Sequence, residues 1–222
     1  GKQYGDACGA ARAIAGLLAQ ECAVPAGLDI FLKEAQRELS LTLSARQEDA
    51  VRKAFTHLVS IVTGGPGTGK TTVQKVMLHI HKKLGGTDVL LTAPTGRASR
   101  RMAESTGHTE AMTMHSALGL TGDDDSAEME GMLEAGFIIA DEFTMSDMRL
   151  SYEFFCHIRK GSRLVLVGDI DQLPSVGPGN VFRELVQCGV IPVTVLDTVF
   201  RQGEDSRIIT NAHRMQENNT SL

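Results

Sequence analysis

Residues 61–73 read IVTGGPGTGKTTV. An apolar run stops, glycines crowd in, and a lysine and two threonines follow. The spacing Gly64-x-x-x-x-Gly69-Lys70-Thr71 is that of a phosphate-cradling loop. Gly64, Gly65, Gly67 and Gly69 let backbone N–H groups close round phosphate oxygens, with Pro66 and Thr68 in the same nucleotide-holding loop. Lys70 adds a point charge at the β and γ phosphates. The Thr71 hydroxyl is placed for Mg²⁺, and the helix opening at Lys70, Thr71 and Thr72 points its positive end at the anion. The competing reading is a glycine-rich turn that binds nothing. The motif needs strand, loop and helix in that order, and all three are legible here, so a nucleotide with Mg²⁺ is the expected ligand. That leaves open what the phosphate is used for: a switch, a small-molecule kinase, or a motor on nucleic acid.

Outward from this loop the chain alternates. Apolar, β-rich runs at 58–62, 88–92, 137–140, 163–167 and 193–196 are strand candidates. They are continuously apolar or nearly so, as strands covered on both faces are. Helical patterns fit 70–83, 95–105, 147–159, 180–188 and 206–217. This predicts an α/β fold with a mainly parallel sheet flanked by helices. Upstream, 5–20 and 29–39 read as helices. Ser44 with Gln47 three residues later is a capping box opening a further helix to about Phe55. The polar stretch 121–131, with three consecutive aspartates, reads as an exposed, solvated loop.

Two further strand ends carry chemistry. In GFIIADEFTM the apolar run leads into Asp141 and Glu142. Carboxylates at the C-terminal end of a buried strand lie where open α/β sheets place their sites. Asp141 is expected to hold Mg²⁺ and Glu142 to activate the attacking water. A strand end with two surface acids is the alternative, and the neighbouring phosphate loop argues against it. In LVLVGDIDQLPSVGPGN another apolar run ends at Gly168, Asp169, Asp171 and Gln172. A glutamine there is suited to sensing the γ-phosphate or orienting water. Arg201, in DTVFRQ, follows the last strand candidate and suits an arginine finger, although a lone arginine is more often a surface residue.

Bulk composition excludes little. The chain has 222 residues, 42% of them hydrophobic, and a formal net charge of −5, so contact with nucleic acid requires a local patch or backbone amides. No apolar run approaches the roughly 20 residues that span a bilayer. Four dispersed cysteines without a Cys-x-x-Cys pair point away from a disulfide framework or zinc site and toward a reducing cytoplasm. His79 and His81 point to different helix faces and read as surface residues.

Together these motifs resemble the RecD-like DNA helicases of superfamily 1, the subgroup that moves 5′ to 3′ on single-stranded DNA. The resemblance runs from about residue 40 to the end. GGPGTGKTT is similar to motif I and LTAPTGRAS (91–99) to motif Ia. MTMHSALG (112–119) is similar to a DNA-contact motif, DEFTM to motif II, and GDIDQLPSVGPGNV to motif III. FRQ…SRIITNAHRM is similar to the motif IV region. The resemblance implies a RecA-like ATPase domain over 42–222, with 1–41 a helical remainder of an N-terminal region. It further implies that Gln47 reads adenine, that Lys70, Thr71 and Asp141 hold phosphate and Mg²⁺, and that Glu142, Gln172 and Arg201 run and couple hydrolysis. Pro94, Thr95, Arg97, Thr113 and His115 fall in the segments that touch single-stranded DNA. The implied parent is an ATP-dependent helicase, alone or in a nuclease–helicase complex. The alternatives are the motor of a conjugative relaxase, or a single-stranded DNA-binding module without turnover.

The pattern has departures. Phe143 and Thr144 stand where the family has small residues, so Phe143 has to find room. Ser116 stands where a basic residue is common. Arg97, Arg100 and Arg101 are expected to form one basic helix face. The second motor domain of the family has no counterpart in the sequence, so the chain is expected to be a fragment with little activity alone.

Overall fold

The structure, a computed structural model, describes residues 2–108, 110–120, 131–172 and 180–197, with side chains from residue 8 onward. In chain order the elements are α1 (Lys2–Leu18), α2 (Leu28–Glu38), α3 (Ala45–Thr56), β1 (Val59–Gly64), α4 (Lys70–Lys83), β2 (Val89–Ala93), α5 (Gly96–Thr106), β3 (Met112–Thr113), α6 (Met114–Ala117), β4 (Phe137–Ala140), a 3₁₀ turn (Phe143–Met145), α7 (Met148–Cys156), β5 (Arg163–Gly168), α8 (Val181–Gln187) and β6 (Val193–Leu196). The helix and strand candidates inside the described residues all form, with ends shifted by up to three residues. The 206–217 helix and the aspartate loop lie outside them.

The strands make one six-stranded sheet in the order β3-β2-β4-β5-β1-β6, and every pairing is parallel. The expected α/β class therefore holds. All six residues of β1 and all four of β4 are buried, which explains their unbroken apolar reading. Successive side chains alternate between faces. Ile138 and Ala140 face a core with α1, α6, α7 and α8, whereas Phe137 and Ile139 face one with α2, α3, α4 and α5.

The first two helices join these cores and have none of their own. Ala10, Ile14 and Leu17 of α1 pack on one side; Leu28, Leu32 and Ala35 of α2 pack on the other. Arg163, at the start of β5, fastens the segment between them. Its guanidinium lies 5.8 Å from the Phe55 ring centroid and donates to the carbonyls of Phe55 and Ala23.

His81 departs from its surface reading. It is on the inward side of α4, its ring 4.9 Å from that of Phe137 and its side chain 14% exposed. His79 is on the rim, bonded to Glu38 at 2.7 Å. The two do point to different faces, but one of those faces is the core.

Candidate functional site

The phosphate loop begins where β1 ends. A Cβ on Gly64 would lie 2.8 Å from the Leu196 carbonyl oxygen of β6 and 2.5 Å from Thr68 Oγ1, so the strand can pass only as glycine. Gly67 and Gly69 have φ of 75° and 88°, the left-handed region that side chains avoid. Gly69 is the N-cap of α4, so the loop feeds directly into a helix N-terminus. Thr68 Oγ1 donates to the Gly65 carbonyl at 2.7 Å. Lys70 Nζ donates to the carbonyls of Gly64 and, at 3.0 Å, Gly65, which holds its charge in the mouth of the loop. Thr71 and Thr72 are half-buried on the first turn.

Gln47 sits behind this loop, buried. The capping box forms in full: Ser44 Oγ accepts the Gln47 N–H, and Gln47 Oε1 accepts the Ser44 N–H at 2.9 Å. Gln47 Nε2 donates to the Thr68 carbonyl at 3.3 Å. One side chain thus caps α3 and braces the phosphate loop, with one amide hydrogen left over.

The acid pair stands two strands away from β1. Asp141 continues β4 by one residue, its N–H donating to the Thr92 carbonyl at 2.9 Å. Its Oδ1 accepts the Glu142 N–H at 2.7 Å, and its Oδ2 accepts from Gln74 Nε2 at 2.9 Å. Glu142 has φ 50° and ψ 36°. A residue with a Cβ in that region costs roughly 1–3 kcal/mol and is tolerated where the surroundings over-determine it. Here the next residue supplies the constraint. Phe143 is fully buried among Phe155, Phe182 and Phe154, at centroid distances of 5.6, 6.3 and 6.5 Å. The room it needs is made by aromatic residues of α7 and α8, on the side of the turn away from the cleft.

The three arginines of α5 stand at i, i+3 and i+4 on one helix, and the last of them reaches the acid pair. All three are exposed, but Arg101 lines the cleft, its Nη2 3.3 Å from Glu142 Oε1. Sequence spacing alone had grouped it with Arg97 and Arg100, because its partner is 41 residues away.

At the end of β5, Gly168 lies against the Phe182 ring, which a Cβ would meet at 3.1 Å. Asp169 is buried, its Oδ1 accepting the Asp171 N–H at 3.0 Å, and the Ile170 N–H donates to Thr63 Oγ1. This fastens the Asp169–Gln172 turn to β1. A cavity of about 660 Å³ opens along the C-terminal edge of the sheet between these pieces. Lys70, Thr71, Arg101, Asp141, Glu142 and Gln172 all line it, with Pro66, Gly168 and Asp169. The structure thus gathers three motifs, spread along the chain from Pro66 to Gln172, into one cleft. Arg201 lies outside the described residues.

The segments expected to touch a DNA strand leave neighbouring strands at the same edge. Ala93 of β2 pairs with Thr113 of β3, so Pro94–Arg97 and Thr113–His115 start side by side. Thr95, Arg97 and His115 are exposed; Pro94 and Thr113 are half-buried. Both threonine hydroxyls cap helices, Thr95 accepting from the Ala98 N–H at 3.2 Å and Thr113 from the Ser116 N–H at 3.1 Å. Ser116, in the place of a basic residue, accepts the Thr113 hydroxyl at 2.8 Å.

Chemically, the cleft offers amides and a lysine to phosphate, and a hydroxyl and a carboxylate to a hard cation. Among the described residues no three His, Cys, Asp or Glu side chains gather as a metal cage. The donor set instead suits Mg²⁺, which takes one or two protein oxygens and completes its shell with phosphate and water. No described helix is long and apolar enough to cross a membrane.

Comparison with known proteins agrees with this geometry. Residues 42–222 match the family model described as AAA domain. The ATP-dependent RecD2 DNA helicase of Deinococcus radiodurans is 36% identical over 171 residues, covering 77% of this chain and 23% of that protein. The RecD subunit of the RecBCD enzyme of Mycobacterium tuberculosis is 34% identical over 172 residues, covering 68% and 30%. The chain thus spans less than a third of the length of these relatives. Among solved structures, the Pif1 helicase of Candida albicans superposes with a TM-score of 0.54 at 25% identity, over 78% of this chain and 44% of that one. With the phosphate loop, the acid pair and the parallel sheet in place, the chain belongs to the AAA domain family and is a RecD-like helicase motor domain of superfamily 1.

Proposed function

We propose that residues 42–222 are the first RecA-like motor domain of an ATP-dependent DNA helicase that moves 5′ to 3′ on single-stranded DNA, and that residues 1–41 come from a preceding helical region. The observation that carries this reading is the cleft. Lys70, Thr71, Asp141, Glu142 and Gln172 line one cavity of about 660 Å³ at the strand ends. The names of the relatives, a DNA helicase and a subunit of the RecBCD enzyme, support DNA as the track and a multi-subunit assembly as one setting. The same reading includes a cytoplasmic location.

In this reading the loop amides and Lys70 bind the phosphates, and Gln47 reaches adenine from behind the loop. Thr71 and Asp141 would hold Mg²⁺, which when bound would offset the negative charge of the phosphates. Glu142 takes the proton of the attacking water. Gln172, on a turn fastened to β1, reports the γ-phosphate to the strand-contact edge, and Arg201 stabilises the transition state. Pro94, Thr95, Arg97, Thr113 and His115 meet the DNA strand. The Thr113 hydroxyl already donates to Ser116, so its contact to phosphate comes from a backbone N–H, whereas the Thr95 hydroxyl only accepts in its cap and keeps its hydrogen to donate; neither kind of contact carries sequence preference.

Two measurements test this. Calorimetric titration of the 222-residue chain with ATP and Mg²⁺ is expected to give one site; absence of binding would sink the motor reading. The full-length protein is expected to unwind a 5′-tailed duplex in an ATP-dependent manner and to leave a 3′-tailed one intact. The reverse preference would overturn the direction while leaving the nucleotide site standing.

A further inference from the structure

We propose that Gln74 is a positioning residue for the carboxylate of Asp141, holding it in the orientation that a magnesium–nucleotide needs. The inference rests on the reading of the cleft as a magnesium–nucleotide site and assigns a role to a residue outside the phosphate loop and the acid pair.

Gln74 follows Lys70 by four residues and Thr71 by three, so all three share one face of α4. Unlike them it is in the core, 1% exposed, on the stretch where Val73, Val76, Met77 and Ile80 are also buried. An amide at such a position is penalised unless its polar atoms are bonded. Only half of it is. Nε2 donates to Asp141 Oδ2 at 2.9 Å, whereas Oε1 is buried without a partner among the described residues. Leucine or methionine would fill the same volume with no orphaned acceptor. Packing therefore does not account for the glutamine, and its bond to Asp141 does.

The direction of the amide is fixed by chemistry. An ionised carboxylate only accepts hydrogen bonds, so the NH₂ end must face Asp141. Asp141 is then held from two sides, Oδ1 by the Glu142 N–H and Oδ2 by Gln74. Each oxygen keeps further lone-pair capacity for a cation or for water bound to one. The neutrality of the donor matters as much as its place. A lysine or arginine here would also orient Asp141 but would cancel its charge and compete with the cation. An amide orients the carboxylate and leaves its charge available. Hydrogen-bonding partners of metal ligands of this kind are worth about 10–100-fold in metal affinity.

The test compares the 222-residue chain with Gln74→Met and Gln74→Lys by calorimetric titration with a non-hydrolysable ATP analogue, with Mg²⁺ and again with a chelator. For the unsubstituted chain, Mg²⁺ is expected to tighten binding. Gln74→Met is expected to lose about tenfold or more of that tightening. Its affinity in chelator and its melting temperature should be preserved, because methionine removes an orphaned acceptor without opening a cavity. Gln74→Lys is expected to abolish the Mg²⁺ dependence, its ammonium standing in for the cation. Mg²⁺ dependence in Gln74→Met equal to that of the unsubstituted chain would overturn the proposal. So would an equal loss with and without Mg²⁺ accompanied by a lower melting temperature, which marks a packing role. If the unsubstituted chain itself shows nucleotide binding indifferent to Mg²⁺, the reading of the cleft fails, and the role of Gln74 falls with it.

Discussion

Replacing Phe143 by alanine puts a small residue beside the acid pair, as in the helicase pattern that the sequence resembles, and in this chain it is expected to be damaging. The ring is fully buried and meets Phe154, Phe155 and Phe182. Removing a buried phenylalanine costs about 3–5 kcal/mol, the transfer term plus the cavity left behind. The site has little means to collapse, since Phe182 is also pinned against Gly168 on β5. A cost no lower than the middle of that range, about 4 kcal/mol, is therefore the expectation. For a domain of this size each kcal/mol moves the melting point by roughly 2–4 °C, so Tm should fall by roughly 8–16 °C. Urea unfolding followed by far-UV circular dichroism gives the free energy directly. Met145→Ala, at the exposed end of the same 3₁₀ turn, is the control and should stay within about 0.5 kcal/mol. Because Phe143 anchors the turn that holds Glu142 in its left-handed conformation, nucleotide affinity with Mg²⁺ should weaken as well. A loss of stability below about 1 kcal/mol would refute the claim that the aromatic cluster holds this turn.

Lys70→Ala should weaken ATP binding by roughly 2–4 kcal/mol through loss of a charge-assisted contact to phosphate, with melting little changed; equal affinities in calorimetry would remove the lysine from the site. Arg101→Ala breaks an exposed ion pair, so stability should hardly move. Its effect is expected in the full-length protein, where freeing Glu142 should raise DNA-independent ATP turnover by up to about fivefold, matching a pair worth up to about 1 kcal/mol. A fall in turnover would mean that Arg101 acts on the nucleotide. His81 gives a pH dependence. Burial pushes its folded pKa below the ordinary 6.5, so the unfolded chain takes up the proton first as pH falls. Stability is then complete above about 6.5 and declines through the window down to the lowered folded value. Chemical denaturation from about pH 7 to pH 5 should show that slope, and His81→Gln should flatten it; an unchanged slope would assign it to other groups.

The sequence by itself determined the parts of this protein whose cause is local. Gly64 to Thr72 carry their meaning in their spacing, because backbone amides and left-handed glycines need no distant partner to form a phosphate loop. Unbroken apolar runs such as 137–140 declared strands covered on both faces, and Ser44 with Gln47 declared a capping box, which forms as read. The two-residue strand β3 carried too few residues for any pattern, and only its pairing with Thr92 and Ala93 reveals it. The tertiary structure decided what lies across the cleft. Nothing in the spacing marks Gln74, because its partner Asp141 is 67 residues away. That Arg101 of the basic α5 face reaches Glu142 shows only once α5 is laid beside the acid pair. Phe143 looked like an intruder until α7 and α8 closed round it, and His81 looked exposed until Phe137 met its ring. Helical and strand periods tell which residues share a face of their own element. Only the packing of the elements into one sheet, with β4 between β2 and β5, tells what that face meets. Side-chain roles at this site are set by such meetings, because a hydrogen bond or an ion pair needs its partner within about 3–4 Å, whatever their separation along the chain.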